Sequence, residues 1–144
     1  MKGTSKLTVT NGKPIKITIK TLQQQDGQLN KYQQEFSGRL AKVKENTYLR
    51  YEEDQNLTVT FKVDEKGIWL TRNGSQMKLR LYFDEAKHYE TNYQTPFGAI
   101  KLTCQTQKVL FEEENAKGQL AVDYQLFSGE ELLGEYKIRL QFEA

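Results

Sequence analysis

The sequence of 144 residues is poor in the residue types that build disulfides, metal centres and membrane helices. It has one cysteine and one histidine, which excludes an internal disulfide and leaves too few ligands for a structural zinc. Its apolar runs are two or three residues long, whereas a membrane-spanning helix needs about 20. The first residues lack the apolar segment of a signal peptide. We therefore expect a cytoplasmic protein with no membrane partner.

The sequence also lacks the short motifs of common enzyme classes. It contains no Gly-x-Ser-x-Gly elbow, no phosphate-binding loop and no dinucleotide fingerprint. The only histidine, His88, follows a predicted turn at 84–87, where a solvated loop residue is the ordinary interpretation. We expect no enzymatic activity, no cofactor and no metal. The charge is nearly balanced, with 21 basic and 19 acidic side chains, so it does not indicate a dedicated nucleic-acid binder.

Aromatic residues and a strict alternation of apolar and polar residues are what the sequence does contain. Its 8 tyrosines, 7 phenylalanines and single tryptophan indicate a packed core. The period is two, as at 15–19 and 57–63, and no window shows helical spacing, so the fold class is all-β. We predict strands near residues 14–22, 32–43, 47–53, 57–64, 68–73, 76–83, 88–94, 99–113, 119–127 and 132–143.

Short turns connect the predicted strands in sequential order, for example at Asn73-Gly74 and at 115–118. A meander with one apolar face buries that face by closing, so we predict an antiparallel up-and-down barrel of about 8–10 strands with little or no helix. A β-sandwich is the alternative. The apolar phase slips within 99–113, which predicts a bulge near 106–108. Residues 1–144 form one predicted domain, in which 1–12 are a loose arm or an edge strand.

A series of motifs in the second half of the chain resembles the YwiB-like family of small bacterial β-barrel proteins. The series consists of Arg72-Asn73-Gly74, Met77, Leu79, Tyr93-Gln94-Thr95-Pro96-Phe97-Gly98, Thr106, Leu120 and Tyr124-Gln125-Leu126. The first half agrees more loosely, at 16–20 and 48–53. The resemblance implies a lipocalin-like or calycin-like barrel. It implies no catalytic residues, because the family is uncharacterised.

Arg72 is a charged residue that the alternation places inside the barrel or at its mouth. It continues the apolar phase of Ile68 and Leu70, and a buried arginine needs an acceptor. Glu53 is the predicted partner, because counting back through the turns brings it close to Arg72. The hydroxyls of Tyr51, Tyr93 and Tyr124 are further candidate contacts. This cluster has two interpretations: an ion pair that closes one barrel end, or an arginine that receives an anionic group.

The first functional hypothesis is a non-enzymatic protein that holds a small apolar or amphipathic molecule inside the barrel. Bulk argues against it, since large side chains predicted to face inward would fill the interior. These are Phe36, Phe61, Phe83, Phe111, Tyr136 and Phe142. Cys104 shares the inward phase and is expected to be buried and free.

The alternative hypothesis is an interaction or single-stranded nucleic-acid-binding module that uses the outer face. Residues 1–72 carry 13 basic and 8 acidic side chains, whereas 73–144 carry 8 and 11. The predicted outer patch contains Lys13, Lys16, Lys20, Lys42, Lys44, Tyr48 and Arg50. Single-strand binders combine cations with stacking aromatics, although lysines also simply solvate a sheet. Trp69 is predicted to face outward, where a terminal arm or a second subunit in a homodimer would cover it.

Overall fold

The computed structural model describes residues 12–54 and 56–144, and every regular element within them is a β-strand. The ten strands are β1 (Lys13–Gln25), β2 (Gln28–Val43), β3 (Asn46–Asp54), β4 (Leu57–Val63), β5 (Ile68–Gly74), β6 (Lys78–Phe83), β7 (Tyr89–Thr95), β8 (Gly98–Glu114), β9 (Lys117–Ser128) and β10 (Glu131–Glu143). Because these segments form no helix, they contain none that is long and apolar enough to cross a bilayer.

The strands form a closed up-and-down barrel. Each strand pairs antiparallel with the next, and β10 pairs with β1 to complete the circle. The predicted all-β class, strand order and closure are confirmed, and the sandwich alternative is wrong. The turns after the odd-numbered strands lie at one end of the barrel, which we call the upper end, and those after the even-numbered strands lie at the lower end.

Alternation of side chains along the strands produces a single core. Ile17, Leu49, Phe61, Phe83 and Leu140 are each at most 1% exposed, and they lie on five different strands that all face the axis. Burying a side chain of this size contributes about 1.5–3 kcal/mol. Successive side chains point to opposite faces, so the period of two in the sequence becomes one dry interior and one solvated exterior.

The first hairpin is longer than the alternation predicts. The expected strands end at 22 and begin again at 32, whereas β1 continues to Gln25 and β2 starts at Gln28. The connecting turn is Asp26-Gly27, with φ of 53° and 77°, which is the geometry of a two-residue hairpin turn. The extension was missed because residues 24–35 are exposed on both faces, so no apolar phase marks them.

Three β-bulges interrupt the regular pairing. The register between β8 and β9 shifts between Thr106 and Lys108, which confirms the predicted bulge. Two further shifts, between Glu52 and Asp54 and between Leu132 and Gly134, have no counterpart in the sequence analysis. The prediction for the segment 1–12 concerns residues outside the described part of the chain, apart from Gly12.

Candidate functional site

The interior contains a cavity of about 440 Å³ that extends toward the upper end. Most of its wall is aliphatic, with Ile19, Leu70, Leu81, Leu102 and Ile138 among the contributors. The polar side chains that line it are Thr21, Gln25, Tyr51, Arg72, Tyr93, Tyr124 and Tyr136. An apolar wall with a few convergent polar groups is typical of a small-molecule site.

The bulky inward residues fill the lower part of the barrel and leave the upper part open. Phe111 and Phe142 stack with their ring centroids 6.1 Å apart near the lower turns, and neither lines the cavity. Phe83 is fully buried and packs against Tyr124 at 4.7 Å. The expectation that bulky side chains fill the whole interior is therefore wrong for the half that contains Arg72.

Arg72 and Glu53 form the predicted ion pair. Arg72 Nη2 lies 2.7 Å from Glu53 Oε1, and the two side chains are 34% and 24% exposed. The oxygen is buried but accepts no well-aligned hydrogen bond, so the contact is an ion pair with poor N–H direction. Among the described residues, Glu53 is the only carboxylate within ion-pair distance of Arg72. A guanidinium has five N–H donors, so one carboxylate does not engage all of them.

The local fold explains how these two charges meet. Val59 pairs directly with Arg72 on β5 and with Tyr51 on β3, so all three side chains share the inner face. Glu53 is the extra residue of the β3 bulge, where Glu52 pairs with Thr58 and Asp54 with Leu57. Glu53 continues the inward phase of Tyr51, two residues earlier, and its carboxylate lies beside Arg72.

The predicted tyrosines also line the cavity, at different depths. Tyr51 stacks on Phe36 at 4.4 Å, and burial raises its pKa, with a further increase from the neighbouring Glu53. Tyr124 stacks on Tyr136 at 5.0 Å, and burial raises its pKa as well. The positive charge of Arg72 partly offsets this by lowering the pKa of both hydroxyls. Both hydroxyls are thus neutral at ordinary pH, and the Arg72 charge lies near enough to act on each.

Cys104 is fully buried and free, as predicted. Burial raises the pKa of its thiol to about 12, so the nucleophilic thiolate is scarce at neutral pH. Thr106, two residues further along β8, carries a buried hydroxyl without a well-aligned hydrogen-bond partner among the described residues. Neither group lines the cavity.

A larger groove of about 1190 Å³ lies on the wall formed by β1, β2 and β8–β10. Its charged residues come mainly from neighbouring strand positions, including Glu112, Glu113 and Glu114. Consecutive strand residues point to opposite faces, so these three carboxylates do not converge. The smaller interior cavity is the better candidate, because its polar groups do converge.

The outer face carries an aromatic and basic surface that differs from the predicted one. Trp69 is covered locally, by Tyr82 at 4.3 Å, Tyr89 at 5.4 Å and Arg80 at 4.2 Å, so the arm or second subunit expected to cover it is not needed. Pairing aligns Tyr48, Lys62, Trp69 and Tyr82 in one row across β3–β6.

The predicted outer basic patch is wrong for Lys42. Its side chain crosses the lower end to form an ion pair with Glu113 on β8, because even-numbered residues of β2 face inward. Tyr48 and Arg50 do lie on the outer face, whereas Lys16 and Lys20 belong to β1, on the other side of β2. The basic surface that the structure forms instead contains Arg39, Arg50, Lys62, Lys78 and Arg80.

A closed ten-stranded antiparallel barrel with an amphipathic interior cavity defines a protein of the lipocalin-like class. The chain belongs to the family described as Domain of unknown function (DUF1934), which matches it over residues 17–140. It is similar to the crystal structure of the ywiB protein from Bacillus subtilis, with a TM-score of 0.82 and 19% identity over 97% of each chain. The resemblance inferred from the sequence motifs is confirmed, and at this identity the likeness shows the fold alone. No curated protein matches the chain.

Sequence analysis missed three polar groups of the cavity wall. Thr21 lies at the end of the predicted first strand and Gln25 beyond it, in the exposed part of β1. Tyr136 was expected to be a bulky filler, yet it contributes to the polar lining. The alternation of β10 shows that Tyr136 faces inward, but only the structure shows that open space lies beside it.

Proposed function

We propose that this protein binds a small amphipathic molecule in the barrel, with the apolar part in the cavity and an anionic group at Arg72. The supporting observation is the cavity of about 440 Å³, which has an aliphatic wall and a single guanidinium. An anionic group bound there would receive charge-assisted hydrogen bonds from Arg72 and neutral ones from the tyrosine hydroxyls. A carboxylate, a sulfate or a phosphate fits this chemistry.

Glu53 is the competitor for the same guanidinium. The ion pair is partly exposed, and its N–H bonds are poorly aligned, so its net strength is modest. An anionic ligand would share Arg72 with Glu53 or displace it toward solvent. The competing interpretation is that the pair serves only to close the upper end of the barrel.

Native mass spectrometry of the protein purified from its own host tests the proposal. We expect a retained molecule that carries an acidic group, and we expect Arg72→Met to lose it. Arg139→Met is the matched control, because Arg139 pairs with Asp123 at 2.8 Å on the outer face. Retention by the folded Arg72→Met variant would show that the pair is structural. An empty wild-type protein that also fails to bind a fluorescent fatty acid would refute the proposal.

We also propose a binding role without catalysis, and a cytoplasmic location. His88 is exposed, and its Nε2 lies 2.8 Å from the side-chain amide nitrogen of Gln105. A carboxamide is neither a nucleophile nor an acid, so this contact does not support catalysis. The free thiol of Cys104 supports the cytoplasmic location, because the cytoplasm is reducing and keeps thiols unoxidised. Turnover of a ligand that the barrel retains would contradict the first statement.

A second candidate function is single-stranded nucleic-acid binding on the outer surface of β3–β6. The row of Tyr48, Lys62, Trp69 and Tyr82 supports it, because such binders place cations beside stacking rings. Trp69 is the only tryptophan, so its fluorescence reports directly on this surface. We expect salt-sensitive quenching by an oligonucleotide, which Arg80→Gln weakens and the control Lys137→Gln on β10 does not. Quenching that is unchanged in Arg80→Gln would contradict this function.

A further inference from the structure

The first half of β2 is an unpaired sheet edge. Residues 28–40 all pair with β1, but the pairing of β2 with β3 begins only at Gly38. No other described strand lies against the free side of residues 28–37. The pairing with β1 is regular throughout, without a bulge that would twist the edge away. A long, regular edge of this kind is a template for another strand.

The hydrogen-bonding groups on this edge belong to the odd-numbered residues. Gln25 and Gln28 flank the two-residue turn, so they form a hydrogen-bonded pair, and the even-numbered residues of β2 exchange bonds with β1. Leu29, Lys31, Gln33 and Glu35 therefore direct their backbone N–H and C=O groups away from β1. No described strand pairs with these groups.

Exposed apolar surface accompanies the unpaired backbone. Leu29 is 56% exposed and Tyr32 is 53% exposed, and they are two of the five large hydrophobic side chains exposed in the described part of the chain. Leu29 lies on the outer face and Tyr32 on the inner face of the same short segment. A strand added to this edge would reduce the exposure of both.

The edge is complementary to a second copy of itself. In an antiparallel pair centred on Gln33, each Lys31 faces Glu35 of the other copy, and Leu29 faces Ser37. Opposite charges directly across a pair stabilise it. Centring the pair on Lys31 or on Glu35 would place like charges against each other. Of the registers that pair these N–H groups, only the one centred on Gln33 places Lys31 directly opposite Glu35.

We propose that two copies of this chain associate through β2, antiparallel and centred on Gln33, so that the sheets of both barrels become continuous. Charge exchange tests the register. In sedimentation experiments the wild type is expected to approach twice the chain mass of 16.8 kDa at high concentration. Lys31→Glu and Glu35→Lys should each weaken association about tenfold or more, and the double variant should restore it.

A monomeric wild type at all concentrations would overturn the proposal. So would a dimer that neither single charge reversal weakens, because the association would then use another surface. Failure of the double variant to restore association would refute the register centred on Gln33. Lys137→Glu on β10 is the matched control, and it should leave the association unchanged.

Two further variants examine the centre of the pair. Gln33→Pro removes an N–H that faces solvent in the monomer, so the ladder with β1 should persist while association is lost. Gln33→Cys should form an intermolecular disulfide on oxidation, because facing Cα atoms of a hydrogen-bonded pair lie about 5.5 Å apart. Gln119→Cys on β9 is the control that should not crosslink. Native-like circular dichroism must accompany each result, and a folded Gln33→Pro dimer would overturn the proposal.

Discussion

At the residue scale, Arg72 and Glu53 show how a charge is accommodated at the wall of an apolar cavity. Neither side chain is more than about one-third exposed, and each lowers the cost of placing the other there. The pair therefore has unequal partners: Glu53 depends on Arg72 for compensation, whereas Arg72 also faces a cavity that can hold an anion.

Replacing the two partners should have unequal effects on stability. We expect Glu53→Gln to lower the free energy of unfolding by about 1–2 kcal/mol, because it leaves the Arg72 charge without compensation. Arg72→Met should lower it by more, about 2–3 kcal/mol, because it leaves the less exposed Glu53 carboxylate without compensation. Urea denaturation of both variants measures the difference. Equal losses would show that the partners depend on each other symmetrically.

The thiol of Cys104 should react slowly in the native protein. It is fully buried, and its pKa of about 12 keeps it protonated at neutral pH. Labelling by a thiol reagent should therefore require opening of the barrel, and its rate should rise steeply with added denaturant. Fast labelling without denaturant would contradict this placement.

At the element scale, the turn between β4 and β5 shows how one side chain closes a hairpin. A carboxylate oxygen of Asp64 accepts hydrogen bonds from the backbone N–H groups of Lys66 at 2.9 Å and Gly67 at 2.8 Å, and from the Tyr82 hydroxyl at 3.1 Å. Burial raises the pKa of Asp64, but the hydrogen bonds lower it by more, so its pKa falls below 3.8.

The stabilisation from Asp64 should depend on pH in one direction. A carboxyl whose pKa is lower in the folded state stabilises the fold above its unfolded pKa, and this contribution is lost as the pH falls through the folded value. We expect Asp64→Asn to cost up to about 1 kcal/mol at neutral pH, because the residue is only partly buried and solvent weakens its interactions. The difference from the wild type should shrink as the pH falls below about 4. A difference that is constant down to acidic pH would contradict the assignment.

At the scale of the whole molecule, the interior is packed at one end and open at the other. Val59 lines the cavity beside Arg72, whereas Val122 is equally buried but lies outside it. The same substitution at the two positions therefore distinguishes open space from close packing.

Enlarging these two valines should have opposite consequences. Val122→Phe should destabilise the fold by about 1–3 kcal/mol, the usual cost of overpacking. Val59→Phe should be tolerated, because the ring enters open space, and it should reduce binding of any ligand beside Arg72. Thermal denaturation and a fluorescent-ligand titration measure these two effects. Equal destabilisation by both variants would mean that the cavity has no room for an added ring.

Much of the barrel could be predicted from the sequence because alternation is a local signal. The inward phase of Arg72, the burial of Cys104 and the bulge near Gln107 all depend on counting residues in steps of two. The partner Glu53 was found in the same way, although the bulge that contains it was not predicted. The exposed tip of the first hairpin shows no alternation of buried and exposed residues, so the predicted strands were shorter than β1 and β2.

The sequence by itself determined which side of each strand is dry, since that depends only on side chains two residues apart. Only the tertiary structure decided whether the dry side is filled. The open space beside Val59 depends on how far facing walls stand apart, and that distance depends on strand number and stagger around the whole barrel. The free edge of β2 also depends on tertiary structure, because it exists where β2 continues beyond the part that pairs with β3. How far two neighbouring strands overlap is set only when they pair in the barrel.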